Sequence, residues 1–475
     1  MSATIRRAVA GLGVVALAAT AAACGSPAPS PAGATPAPSS QAPSSSAPAA
    51  PVNLSVVGLL PGATPEAQAN LANQVKLFEA ANPNIKVTTK EYEWKATTFA
   101  ADLAGGTLPD VFEIPFTDAK TLIANGQIAD MNDMLGEFPF GGAFNPNVLQ
   151  YGQGPDGHAY GIPAKSVYGI GLHYNRDLFT KAGLDPDKPP TTWDEVRAYA
   201  KQIADKTKAA GYIQMTQSNT GGWQLTVATY SRGGQMETVD AAGKATATLD
   251  NDATKAALQF LKDLRWTDNA AGSNFNLDWS TINQAFAAGQ IGMYTSGQDV
   301  YTSLVQANAI KPEMYGLTMI PLDGPNAGVL GGGTMAAVKA GSSDDVRRAA
   351  AKWISHWYLS RYTSEEAAKA FNQQAFDDKQ PVGTPELPMF SDENLQQYRE
   401  WIKPLINVPL DHMTGFTEKI GAAKILNEPP VATQDVYAAL DPVVQAVLTD
   451  KNADINALLA DANKTAQRAI DKAQR

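Results

Sequence analysis

The chain has 475 residues, 44% of them hydrophobic, so it is long enough for two or more domains with buried cores. Its 37 Lys and Arg residues against 47 Asp and Glu residues give a net charge of −10, which argues against binding to the phosphate backbone of nucleic acids. One cysteine, Cys24, excludes an intramolecular disulfide, and four histidines without a His-Glu-x-x-His motif offer little to a metal ion. We therefore expect no cofactor and no metal.

Residues 1–23 predict the signal peptide of a bacterial lipoprotein. Arg6 and Arg7 precede an apolar run, residues 8–19, that is too short to span a bilayer as a stable helix. Small residues then lead to Cys24, whose position resembles the lipidated first residue of such lipoproteins. Acyl chains on Cys24 would anchor the protein to the outer face of the cell membrane. The alternative is ordinary signal-peptide cleavage that leaves Cys24 as a free thiol.

Residues 24–52 predict a tether. After Cys24 this segment consists almost entirely of Pro, Ala and Ser and has no charge, so it cannot form a core. Its prolines favour extended polyproline II, which would lift the folded body away from the membrane. A disordered tail without a spacing role is the alternative.

From Asn53 onward, apolar segments with strand and helix character alternate along the chain. The predicted strands are 54–60, 85–89 and 111–114, and the predicted helices are 65–81, around 99–103, and 117–125. Such alternation implies parallel βαβ units, in which ligands bind at the carboxyl ends of the strands. The loops near 60–64 and 114–118 are therefore candidates for a binding site.

The middle of the chain contains further helices with clear start signals. Thr192 and Glu195 form a Thr-x-x-Glu capping box, which predicts a helix that runs from there to about residue 210. Residues 251–266 predict another helix. A third begins at Ser342, and its apolar residues follow the 4-3-4 spacing of a buried face.

Five segments spread from residue 53 to about residue 430 carry motifs of a known kind. The first two are 78–87 (FEAANPNIKV) and 106–111. The third comprises 160–163, 174–179, 181–184 and 192–195, and the last two are 285–294 and 329–333. In this order they resemble the family 1 extracellular solute-binding proteins of ABC importers, which include maltose-binding and multiple-sugar-binding proteins.

The resemblance implies an α/β fold with two lobes, of the periplasmic-binding-protein type II. Each lobe would be a mostly parallel sheet flanked by helices, and a ligand bound in the cleft at the hinge would stabilise closure by contacting both lobes. The implied N-lobe is 53–165 plus about 334–390, the implied C-lobe is about 166–329 plus about 391–475, and the hinge crossings are near 164–168, near 329–334 and around 380–400.

The same resemblance implies a function and its partners. The protein would be a monomeric extracytoplasmic lipoprotein that captures a carbohydrate and delivers it, unaltered, to the permease subunits of an ABC transporter. Two alternatives stay open. One is a secreted glycan-active enzyme, because such an enzyme uses the same aromatic and carboxylate residues, and the other is the same fold with a glycerol phosphate or a peptide as its ligand.

The family's binding loops, carried over segment by segment, imply the ligand-binding residues. They are Phe116, Thr117, Asp118, Lys165, Ser166, Tyr168, Gln217, Asn219, Trp223, Gln298, Asp299, Gly332, Gly333, Thr334, Asp411 and His412. Trp223 would offer an aromatic face to the C–H surface of a sugar, while carboxylates and amides would bind its hydroxyl groups. The alternative for Trp223 is a place in the core of its lobe. Trp94 and Trp279 are further aromatic candidates.

Two loops depart from the maltose-binding pattern. Residues 117–118 are Thr-Asp where that pattern has Asp-Arg, and residues 296–299 are polar where the family often has Gly-Pro-Trp. The first departure argues against a maltodextrin ligand, and in the second polar groups replace a second stacking platform. Lys165 would either pair with an anionic ligand, such as a sugar phosphate, or cap the hinge.

Overall fold

The computed structural model describes residues 51–59, 61–63, 65–92, 94, 98–240 and 243–474. The predicted signal peptide, Cys24 and nearly all of the predicted tether lie outside these described residues. None of the described helices is long and apolar enough to cross a membrane. The described residues also bring together no group of three or more His, Cys, Asp or Glu side chains that could hold a metal ion.

Strands and helices alternate through most of the described chain. The strands are β1 Val52–Val57, β2 Ile85–Lys90, β3 Val111–Pro115, β4 Ile162–Asn175, β5 Ala210–Tyr212, β6 Glu237–Val239, β7 Ala245–Ala247, β8 Ile291–Gly297, β9 Tyr315–Met319, β10 Val329–Val338 and β11 Ile425–Leu426. The helices of the first half are α1 Pro65–Ala81, α2 Phe99–Ala104, α3 Phe116–Ala124, α4 Pro146–Leu149, α5 Arg176–Ala182, α6 Trp193–Thr207 and α7 Thr220–Tyr230. Those of the second half are α8 Asp252–Trp266, α9 Trp279–Ala287, α10 Val300–Asn308, α11 Asp344–Ile354, α12 Glu365–Asp377, α13 Asp392–Ile402, α14 Thr414–Thr417, α15 Thr433–Thr449 and α16 Ile455–Ala473.

Several of these elements begin where local signals predict them. The side chain of Thr192 accepts a hydrogen bond from the backbone of Glu195, and the Glu195 side chain returns one, so the predicted capping box starts α6. The structure also confirms the helix predicted over 65–81 as α1 and the helix predicted over 251–266 as α8. Helix α11 buries Trp353 completely, which confirms the buried face predicted from its spacing.

Within the described residues, nine strands form one sheet whose central path runs β2-β1-β3-β10-β4-β8-β5, with β11 beside β10 and β9 beside β4. Strand β1 pairs in parallel with β2 and β3, and β5 pairs in parallel with β8, as βαβ alternation predicts. The antiparallel pairs of this sheet all involve β4 or β10. Each of these two long strands passes from one hydrophobic core to the other.

Two hydrophobic cores lie on this sheet. The first is built by buried side chains from residues 54–167 and 335–405, and the second by those from 170–330 and 408–470. The chain therefore crosses between the cores near 168, near 332 and near 406. Helix α13 contributes Tyr398 and Ile402 to the first core, so the last crossing lies later in the chain than the resemblance implies.

Strands β4 and β10 run side by side where they cross. Tyr168 lies opposite Gly332, and the register shifts between Gly333 and Met335. A Cβ atom at Gly332 would lie 2.6 Å from Cε2 of Tyr168, so only glycine leaves room for that ring. At the crossing, the Tyr168 ring of β4 therefore packs directly on the backbone of Gly332 in β10.

Candidate ligand-binding site

The carboxyl end of β3 leads directly into α3, at the place where the two lobes touch. Helix α3 belongs to the first core, and α15 belongs to the second. The Gln434 amide at the start of α15 donates to the Thr117 hydroxyl at 3.0 Å. The Thr433 hydroxyl donates to the Pro429 carbonyl oxygen at 2.6 Å and lies 3.3 Å from the Thr117 carbonyl oxygen. The loop near 114–118 that topology singles out therefore lies at the contact between the lobes.

Asp118 and Trp94 form a pair next to this contact. The Trp94 indole N–H donates to Oδ2 of Asp118 at 2.8 Å, and the Thr117 hydroxyl lies 3.4 Å from Oδ1. Burial raises the pKa of Asp118 to about 6, and these two hydrogen bonds oppose that rise. The carboxyl group thus orients Trp94 and is partly protonated near pH 6.

Glu428 lies buried on the other side of the contact, with 7% of its surface exposed. The Tyr437 hydroxyl donates to Oε2 of Glu428, and Trp223 also hydrogen-bonds to this carboxyl group. Burial raises the pKa of Glu428 to about 8, so the group is mostly a neutral acid at pH 7. Trp223 is half-buried and packs against the second core.

Two tyrosines approach Glu428 from the first lobe and from the crossing strand. The ring of Tyr151 packs against Phe116 at an interplanar angle of 34°, with 4.3 Å between the ring centroids. Its hydroxyl oxygen is buried without a hydrogen-bond partner among the described residues. Burial and then the charge of Glu428 raise the pKa values of Tyr151 and Tyr168. Glu428 is thus hydrogen-bonded by aromatic side chains of the second lobe, and its charge acts on a tyrosine of the first lobe and on one of the crossing strand.

Asn219 lies close to the same lobe contact. Its backbone has a φ of 67°, and its N–H donates to Oδ2 of Asp441 at 2.7 Å. Its side-chain amide donates to Oε1 of Gln434 at 3.0 Å. Asn219 is thus linked through Gln434 to Thr117 of the first lobe, whereas Gln217 hydrogen-bonds to Asn276 in its own lobe.

Other residues implied by the resemblance lie at the crossing and make contacts within the protein. The buried amide of Gln298 accepts from the Gly169 N–H at 2.5 Å and donates to the Val167 carbonyl oxygen at 3.1 Å. Asp299 follows it at the start of α10. Gly332, Gly333 and Thr334 lie in β10, and the side chain of Ser166 is outside the described part of the chain.

Lys165 has a partner inside the first lobe. Its ammonium group lies 3.0 Å from Oε2 of Glu113, and this carboxylate also accepts from the Tyr358 hydroxyl at 2.9 Å. About half of the Lys165 side chain is exposed to solvent. In this arrangement Lys165 pairs with Glu113 of the first lobe.

Asp411 and His412 lie apart from the other residues that the resemblance implies for ligand binding. His412 Nδ1 lies 3.1 Å from the carbonyl oxygen of Tyr315, which pairs with Asn175 at the end of β4. Asn175 is seven residues beyond Tyr168, which corresponds to about 23 Å along a strand. Asp411 is exposed to solvent beside His412. The register of β9 on β4 thus places both residues far from the crossing.

Sequence reasoning missed the central acid of this site and two of its tyrosines. Glu428, Tyr151 and Tyr437 belong to segments that carry no motif, and a single glutamate among 47 acidic residues has no distinguishing spacing. One usable signal was the pair of prolines directly after Glu428, which holds the chain extended before α15.

A comparison with protein families supports this architecture. The family described as bacterial extracellular solute-binding protein matches residues 62–362. The putative ABC transporter periplasmic-binding protein YcjN of Escherichia coli K12 is 26% identical over 313 residues, which cover 64% of this chain and 68% of that protein. The sn-glycerol-3-phosphate-binding periplasmic protein UgpB of the same strain is 27% identical over 281 residues, 54% of this chain and 60% of UgpB.

Solved structures share the fold. An ABC transporter solute-binding protein from Thermotoga lettingae, crystallised with α-D-tagatose, superimposes with a TM-score of 0.69 at 18% identity and covers 88% of this chain and 100% of that one. The two cores joined by crossing strands are therefore the two lobes of a periplasmic-binding-protein fold, as the resemblance implies. The chain is an extracytoplasmic solute-binding protein of the ABC-transporter kind and belongs to the bacterial extracellular solute-binding protein family.

Proposed function

We propose that this protein captures a carbohydrate between its lobes and delivers it, chemically unchanged, to the permease subunits of an ABC importer. The observation that carries the proposal is the arrangement of Tyr151, Tyr168, Trp223 and Tyr437 near the buried acid Glu428 at the lobe contact. Aromatic faces suit the C–H surface of a sugar, and a neutral carboxyl group can both donate to and accept from hydroxyl groups. A ligand held there would touch both lobes and stabilise closure.

The same site favours a carbohydrate over a phosphate ester. Glycerol phosphate carries negative charge and needs cationic partners. Lys165 is paired with Glu113, and no lysine or arginine of the described residues makes an ion pair with Glu428 or Asp118. The candidate ligand sn-glycerol 3-phosphate is therefore supported by the similarity to UgpB and not by the residues of this site.

Calorimetric titration tests the proposal directly. The purified protein would be titrated with mono- and disaccharides, glycerol phosphates and short peptides, and each mixture would be analysed for products. We expect micromolar or tighter binding of a sugar with no chemical change. Turnover of a glycan would replace the proposal with the enzyme alternative, and binding of a glycerol phosphate or a peptide alone would replace the ligand class.

We also propose that Cys24 is lipidated and anchors the monomeric protein outside the membrane. The support is the position of Cys24 after an apolar run and before an uncharged Pro-rich segment. Cells producing the protein would be fed a radiolabelled fatty acid and fractionated. The label is expected in the membrane fraction and is expected to be lost in Cys24→Ser; a labelled Cys24→Ser variant would contradict the assignment.

A further inference from the structure

The side chain of Gln298 is fully buried at the place where β4 passes from one lobe to the other. Its Oε1 accepts the N–H of Gly169 at 2.5 Å, and its Nε2 donates to the carbonyl oxygen of Val167 at 3.1 Å. The backbone N–H of Gln298 also donates to the carbonyl oxygen of Gly169 at 3.2 Å. Both polar atoms of this amide are therefore occupied by the backbone of β4, on either side of residue 168.

These bonds extend a strand pairing beyond the point where the backbone of β8 ends it. The pairing of β8 with β4 ends with Gly297 opposite Ile170. The side chain of the next residue, Gln298, extends that edge over residues 167–169. On the other edge of β4, the same three residues pair with residues 331–333 of β10. The crossing segment of β4 is thus held along both edges.

One of the Gln298 bonds spans the boundary between the lobes. Val167 is the last residue of β4 that is buried in the first core, whereas Gln298 lies between β8 and α10 of the second lobe. The Val167 carbonyl oxygen also accepts the N–H of Leu387 at 3.2 Å, and Leu387 packs against the first core. One carbonyl group at the crossing therefore receives a donor from each lobe. Rotation of one lobe about residue 168 would stretch one of these two bonds.

We propose that Gln298 is a positioning residue for lobe movement: its amide keeps the crossing segment of β4 rigid, so that residues 331–333 of β10 bend instead. These three residues are consecutive glycines, and the register of β10 on β4 shifts directly after them. Glycine has the greatest freedom to change its backbone angles, so bending costs least there. Bending β4 would leave a buried backbone group without its partner, which carries a desolvation penalty.

In this role Gln298 acts on ligand capture through the hinge and does not contact the ligand, because both polar atoms of its amide are already bonded to β4. The effect is mechanical and the same for any ligand that the lobes enclose. The inference therefore goes beyond the proposed function and does not depend on a carbohydrate ligand.

The test compares Gln298→Met with a matched variant, Gln224→Met. Methionine is also unbranched and removes both amide hydrogen bonds. Gln224 is likewise a buried glutamine of the second lobe, and its amide accepts from the Met215 N–H at 2.6 Å and donates to the Thr295 carbonyl oxygen at 2.7 Å. Both of these partners lie within the second lobe. The two variants thus remove the same kind of bonds, one pair at the lobe boundary and one pair inside a lobe.

The separation of the lobes is measured by double electron–electron resonance on the whole protein without ligand. Cys24→Ser removes the single cysteine, and spin labels are attached at Lys76→Cys and Lys206→Cys, which are exposed positions on α1 of the first lobe and α6 of the second. Gln298→Met is expected to broaden the distance distribution about twofold, because the crossing of β4 becomes a second place to bend. Gln224→Met is expected to leave the width unchanged, although both variants lower the melting temperature.

Hydrogen exchange of the unmodified protein provides a second measurement, which decides the matter if Gln298→Met does not fold. The backbone amides of residues 168 and 169 are expected to have protection factors about tenfold or more above those of residues 331–333. The difference is expected because the first segment is held rigid while the second bends.

Three results would overturn the inference. They are an unchanged distance distribution in Gln298→Met, equal broadening in Gln224→Met, and protection of residues 331–333 that equals or exceeds that of residues 168 and 169. None of these measurements involves a sugar, so the proposed function is tested separately by titration.

Discussion

The Gln434 side chain donates a hydrogen bond to the Thr117 hydroxyl at 3.0 Å and thereby joins the start of α15 to the start of α3 across the two lobes. The neighbouring Thr433 hydroxyl lies 3.3 Å from the Thr117 carbonyl oxygen. Both contacts can exist only when the lobes are together. The contact between the lobes therefore includes a hydrogen bond of the protein's own.

Removing the hydrogen bond between Gln434 and Thr117 should weaken ligand binding. Gln434→Ala is expected to lower affinity by about 0.5–1.5 kcal/mol, the usual net contribution of one hydrogen bond, because the closed form loses a contact that the open form does not have. Calorimetry with the identified ligand measures this. Gln373→Ala is the matched control, since the Gln373 amide bonds only to Asp377 in its own helix. Equal effects of both variants would contradict the role of Gln434.

Trp223 is expected to contact the ligand. Trp223→Ala should weaken sugar binding by about 1–3 kcal/mol, comparable to the loss of a stacked ring and its buried area. The control is Trp266→Ala, because the Trp266 indole bonds to the Val447 carbonyl oxygen inside the second lobe. That variant should lower the melting temperature and leave affinity unchanged. The same pattern in Trp223→Ala would assign Trp223 to the core.

Glu237 should make stability depend on pH. Burial raises its pKa from 4.5 to about 8, so between these values the folded protein holds a proton that the unfolded chain has released. Stability contributed by this group is therefore complete below pH 4.5 and falls as the pH rises towards 8. Relative to the wild type, Glu237→Gln should gain melting temperature progressively across this window. A constant difference from pH 4 to pH 9 would contradict the assignment.

Gly332 should not tolerate a side chain. Gly332→Ala would place Cβ against the Tyr168 ring, and the crowding is expected to displace that ring and to cost about 1–3 kcal/mol of stability. Gly421→Ala is the control, because nothing lies within 4 Å of its added Cβ atom. Urea unfolding of both variants gives the comparison. A neutral Gly332→Ala would show that Tyr168 moves freely.

Local sequence signals were sufficient for the α/β class and for many element bounds. The Thr192–Glu195 capping box and the apolar spacing of α1, α8 and α11 act over a few residues, so they can be recognised without knowledge of the fold. The ordered motifs, through their resemblance to a family, added two lobes joined by crossing strands. Parallel pairing of β1 with β2 and β3 followed from alternation alone.

The composition of the site was decided by tertiary structure. Tyr151 and Glu428 lie in distant parts of the sequence, and they become neighbours only because β4, β10 and the last crossing bring both lobes to one place. His412 shows the reverse case, since the register of β9 on β4 carries it away from the crossing. Sequence determined which segments fold into strands and helices, because periodicity and capping are local. Which side chains share the cleft depended on long-range strand pairing, which no local pattern encodes.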